Sequence, residues 1–176
     1  AQERFEILKS FFFEAKQFTP MATKPKLDKF LLPYILLSRS GPPEILLLLF
    51  IGLARTINLN LQVIRGPERT ILKFIDAGKA IMCDFQNQAQ LLNTEEIIEL
   101  INQGCDFTKI LDNKELLTQY LLQIKTQRLR ERSLVQFYKI QSYLVHHQPF
   151  ILSHLVDRAR AAYAVGDLVK AADAIV

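Results

Sequence analysis

Apolar positions recur at helical spacing from the start of the chain. Phe5, Leu8, Phe12, Phe13 and Ala15 share a face and predict a helix over residues 2–18. Thr19 to Pro25 breaks that period, since Pro20 and Pro25 interrupt any ladder, and reads as a loop. Leu27, Phe30, Leu31 and Ile35 resume it as far as Leu37, with Pro33 starting a new helix or kinking this one. Ser38 to Pro43 is a turn. Pro43 fits a first helical position, and Glu44 suits the positive end of the helix that follows. From Ile45 to Ala54 the chain is apolar on every side. The stretch is half the length of a bilayer span, which takes about 20 residues, so it predicts the buried central helix of a domain, with Leu48 in the core.

The period then changes. Leu61 to Ile64, Thr70 to Ile75 and Ala80 to Phe85 are rich in residues that favour strands. Asp76-Ala77-Gly78-Lys79 between the last two predicts a hairpin. Three short antiparallel strands within residues 60–86 should pack on the central helix. After Leu92 helical spacing returns. Asn93 and Glu96 have the spacing of a capping box, as do Asp112 and Glu115. The first helix should stop before Gly104. The second should run to about Val145, with a break near Glu131–Ser133. Another follows Pro149, and Gly166 separates it from a last one.

Composition supports a mainly helical α+β protein: hydrophobic residues make up 49% and charged residues 23%, with only 6 glycines. Disorder, collagen and a coiled-coil rod are excluded. The net charge of +4 lies within residues 1–88, and the remainder is neutral. A dedicated nucleic-acid binder concentrates its charge more strongly. Cys83 and Cys105 form no CxxC, and the first residues hold no apolar signal core. Free thiols in the cytoplasm are expected.

Motifs for nucleophiles, nucleotides and zinc are absent from the sequence: there is no GxSxG, Walker A, GxGxxG or HExxH. His146 and His147 close a predicted helix, where a cation interacts with the last carbonyls. His154 is expected to pack or to face solvent. No ligand set for a metal and no cofactor motif is visible. Lys125, Arg128 and Arg132 fall on one predicted helix face; a solvated face explains them, and an acidic protein or a phosphate backbone is the alternative use. Ala159, Ala162, Gly166 and Ala171 have the small-residue spacing of a tetratricopeptide helix–turn–helix, against the plainer reading of a helical hairpin capping the core.

The order of these features carries a resemblance. Arg39-Ser-Gly-Pro-Pro43, the apolar helix, Asn58-Leu-Asn-Leu61, Gly66-Pro67, a hairpin, Asp84-Phe-Gln-Asn87, Leu91-Leu92 and the late Ala159–Ala171 pair resemble SirB-type proteins of the transglutaminase-like superfamily. The resemblance covers about residues 30–176 and implies a papain-like core, in a domain over 1–111 that includes the N-terminal helices, with tetratricopeptide-like helices over 112–176 packed on it. It also implies where catalysis would sit: a Cys at the start of the central helix, a His on a strand and an Asp on the next. Here Glu44 and Ile45 occupy the helix start. Pro67-Glu68-Arg69 matches the family's Pro-x-His, placing Arg69 at the base, and Asp84 matches the acid. Arg cannot act as a base near neutral pH.

The resemblance thus implies a pseudoenzyme, with Glu44, Ile45, Arg69 and Asp84 marking a degenerate site and an Arg69–Asp84 ion pair replacing the His–Asp bond. Its partner would be another protein rather than a membrane or nucleic acid. The alternatives are a hydrolase or acyltransferase rebuilt near Asp84, using Glu68 or Cys83, and nucleic-acid binding through the face of residues 125–132. Cys83 and Asp84 are adjacent on a strand, so they should point to opposite faces.

Overall fold

The computed structural model describes residues 1–21, 31–67 and 69–173. The part of the predicted second helix over 27–30, the loop over 22–25, and Glu68 lie outside them. The chain divides into two compact units, Ala1–Asn113 and Lys114–Val176.

The first unit is α+β. Helix α1 (Gln2–Lys9) continues as a π-helical segment, Ser10–Ala15, instead of the plain α-helix predicted over 2–18. The wider turn is closed by the Lys16 N–H donating to the Phe11 carbonyl. Its five-residue spacing sets Phe13 over Leu8 while Phe12 also stays inside; all three are buried. Strand β1 (Thr19–Pro20) pairs in parallel with β2 (Ser40–Gly41), on either side of α2 (Leu32–Ser38), in which Pro33 occupies the first turn.

Helix α3 (Pro43–Thr56) starts at Pro43 as predicted. Ile45, Leu46, Leu47, Phe50, Ile51 and Ala54 are buried, whereas Leu48 is only half-buried and Gly52 is exposed. The helix therefore has one face away from the core, and Leu48 is not a core residue. Phe50 is the centre of the packing: its ring meets those of Phe5, Phe12, Phe13 and Phe85.

Strands β3 (Gln62–Arg65), β4 (Thr70–Asp76) and β5 (Lys79–Asp84) form the predicted antiparallel core of the sheet. Two-residue strands β6 (Gln90–Leu91) and β7 (Ile110–Leu111) extend it to the order β6-β5-β4-β3-β7. The β4–β5 connection is tighter than expected, because Asp76 pairs with Lys79 and only Ala77 and Gly78 turn. Both have positive φ, 48° and 79°, the hairpin turn whose twist matches the strands.

Alternation along the strands divides the side chains between two faces. Phe74 stacks on Phe5, and Phe85 meets Phe50, so Leu72, Phe74, Cys83 and Phe85 face α1 and α3. On the other face Ile64 and Ile71 pack with Leu100 of α4 (Thr94–Asn102) and with Cys105. The Asn93–Glu96 capping box opens α4: Glu96 N–H donates to Asn93 at 2.9 Å and Asn93 N–H to Glu96 at 2.8 Å.

The second unit is helical. Helix α5 (Asn113–Arg130) breaks at the predicted place, and α6 (Leu134–His147), α7 (Leu152–Ala164) and α8 (Leu168–Asp173) follow. Helix α7 packs on both α6 and α8. Ala159 and Ala162 are buried, Ala171 is half-buried, and the exposed Gly166 turns the chain with φ 84°. Among the described residues, no helix is long and apolar enough to cross a membrane.

Candidate functional site

The hairpin loop before β4 positions Arg69. The Gly66 N–H donates to the Arg69 carbonyl at 2.8 Å, closing the loop. A Cβ on Gly66 would lie 3.1 Å from that carbonyl oxygen, so only glycine leaves the contact unstrained. Arg69 Nη1 then stands 3.6 Å from Asp84 Oδ2; the Arg69 side chain is 49% exposed and that of Asp84 7%.

Asp84 ends β5 and organises the turn beyond it. Its Oδ1 accepts from the Gln86 N–H at 2.9 Å and, more weakly, from the Asn87 N–H at 3.3 Å. Asn87 Nδ2 donates in turn to Gln90 Oε1 at 2.7 Å, tying the turn to β6. Both carboxylate oxygens are thus engaged, one by a guanidinium and one by backbone amides. This is how a buried carboxylate stays tolerable.

Asp84 lies opposite Ile71 in the register, and Cys83 opposite Leu72. Residues paired across a ladder share a face. Asp84 therefore belongs to the face that packs on α4, together with Ile71, and Cys83 to the face covered by α3. Glu44 and Ile45 are in the first turn of α3. The structure brings Arg69 and Asp84 together but on the sheet face away from the helix start. Among the described residues no ion pair joins Glu44 to either of them. At the helix start Ile45, Leu46 and Leu47 are all buried, and one Glu44 carboxylate oxygen is enclosed without a hydrogen-bond partner.

Both thiols are buried. Cys83 is fully enclosed, and burial pushes its pKa up to about 12. Burial, followed by the neighbouring Asp106, also raises that of Cys105. Neither is in a disulfide. A cavity of about 220 Å³ is lined by Ala1, Asn58, Leu59, Asn60, Gln62, Phe74 and Ile75, none of them a residue of this site.

A family model described as the transglutaminase-like superfamily matches residues 1–134. The chain belongs to the transglutaminase-like superfamily. No curated protein and no solved structure matches it. The matched span of this transglutaminase-like chain covers the whole first unit and α5.

The basic face read from the sequence is rearranged. Lys125 Nζ donates to Asp157 of α7 at 2.7 Å and lies 5.9 Å from the Phe137 ring. Arg128 is half-buried and 4.0 Å from Glu131. Arg132 is not on the helix: α5 stops at Arg130, and Arg132 turns out of it with φ 55°. The break predicted near Glu131–Ser133 is what takes Arg132 off the face shared with Lys125 and Arg128. Of the two outcomes expected for His154, packing or solvent, the structure shows packing; its neighbour Gln141 was not singled out, and a polar residue on a helix face otherwise lined by Phe137, Ile140 and Leu144 was the available signal. Among the described residues no cluster of His, Cys, Asp or Glu could hold a metal.

Proposed function

We propose that this transglutaminase-like protein is a pseudoenzyme that serves as a protein-interaction or regulatory module. The observation that carries this reading is the state of Asp84. Its carboxylate is committed to Arg69 and to its own turn, on the face opposite α3. Acyl transfer through a thiol needs a nucleophile, a base within hydrogen-bond reach and a carboxylate orienting that base. The helix start supplies Glu44 and buried aliphatics, and the base position supplies Arg69, a guanidinium that offers hydrogen-bond donors and no acceptor. Glu44, Ile45, Arg69 and Asp84 are, on this reading, the positions of a degenerate site.

Within the family the SirB-type order of motifs is the favoured assignment, with α7 and α8 as a tetratricopeptide-like pair and the cytoplasm as the compartment. The partner is a protein. Nucleic acid is disfavoured, because Lys125 is spent on Asp157 and Arg128 is turned inward. A hydrolase rebuilt around Asp84 would need a nucleophile on the same face; Cys83 points to the other one, and Cys105, on the Asp84 face, is buried against Ile64, Ile71 and Leu100. The test is turnover. Offered a glutamine peptide and a primary amine, the purified chain should release no ammonia and form no adduct; release at a rate proportional to protein would refute the proposal.

A further inference from the structure

His154 is buried in the helical unit, 6% exposed, among neighbours that make its charge consequential. Its Nε2 lies 3.1 Å from Gln148 Oε1, a contact that fits the neutral tautomer with the proton on Nε2. Nδ1 is enclosed and has no partner. Gln141 of α6 is fully buried; its Nε2 donates to the His154 carbonyl at 2.6 Å, while its Oε1 has no donor. A bare nitrogen and a bare amide oxygen are thus enclosed beside the same residue.

The charges acting on the ring are Lys125, from α5, and Asp157, one turn along α7. These two are bonded to each other at 2.7 Å. Helix α6 presents the uncharged Gln141, and the connection before α7 presents the uncharged Gln148. Arg158, four residues after His154 on α7, adds a cation on the same helix face. We propose that His154 is a proton-operated clasp: protonating it sets a second cation beside Lys125 with Asp157 as the shared carboxylate, and so weakens the Lys125–Asp157 bond that ties α7 to α5. The proton comes from solvent and binds the Nδ1 lone pair; no other bond is made or broken. Burial, and then Lys125, hold the His154 pKa below the ordinary 6.5, so the clasp is closed at neutral pH and yields in mild acid.

The experiment follows the ring protons of the three histidines by NMR while the full chain is acidified. His154 should titrate below 6.5, and amide protection of α7 should fall through that same transition. In Lys125→Met the His154 midpoint should move up. In His154→Gln the fall in α7 protection over that range should vanish. Titration of His154 at or above 6.5, protection of α7 that is flat across its transition, or a midpoint unmoved in Lys125→Met would each overturn the clasp.

Discussion

Arg69 and Asp84 form a lopsided pair, a half-exposed guanidinium against a buried carboxylate whose other oxygen is bound to backbone amides. Losing one member should not cost the same as losing the other. Arg69→Ala removes a partly solvated contact and should lower stability by about 0–1 kcal/mol. Asp84→Ala leaves two turn amides without their acceptor and should cost about 1–3 kcal/mol. Urea unfolding of the two variants checks the order; equal losses would mean that the turn does not depend on Asp84.

Cys83 should be inert in the folded chain. With its pKa at about 12, roughly one thiol in ten thousand is ionised at pH 8. Iodoacetamide should label it only after unfolding, as peptide mapping can show. The same shift has a consequence for stability. Because the folded pKa is raised, the contribution is complete below the ordinary thiol value and is lost as pH rises from there toward about 12. Cys83→Ala should therefore lose less stability than the parent above pH 9.

The aromatic cluster ranks two substitutions in α3. Phe50→Ala empties the site at which four other rings meet and should cost about 3–5 kcal/mol. Leu48→Ala, at a half-buried position, should cost less than the roughly 2–5 kcal/mol of a core leucine. Calorimetric unfolding of both variants tests the burial pattern of the helix.

The hairpin turn is not optimised. Ala77 holds φ at 48°, where a Cβ is strained, and Asn is the favoured residue before the glycine in such a turn. Ala77→Asn should raise the thermal midpoint, by an amount equivalent to about 0.4–1 kcal/mol. A fall would mean that another contact holds Ala77.

What could be read from the sequence was local. The Asn93–Glu96 box, the Pro43 start and the hairpin glycine each act within a few residues, and each is where the pattern put it. Strands β6 and β7 were invisible because two residues have no period. The opposed faces of Cys83 and Asp84 follow from alternation alone. Which face α3 covers depends on Phe50 meeting Phe85, a tertiary choice. The Lys125–Asp157 bond joins residues 32 apart in the chain, so a charge that looked solvated was already paired. The π-helical turn likewise answers to packing, since it brings both Phe12 and Phe13 inside.

If Glu44, Ile45, Arg69 and Asp84 mark a degenerate site, the protein carries out no acyl transfer. The most direct measurement is ammonia release from a glutamine peptide by the parent chain, Asp84→Ala and Cys83→Ala, assayed side by side at equal concentration with and without a primary amine. No release above the protein-free blank is expected from any of the three. Release by the parent that disappears in Asp84→Ala or Cys83→Ala, while the variant remains folded, would contradict it and assign a working site to these residues.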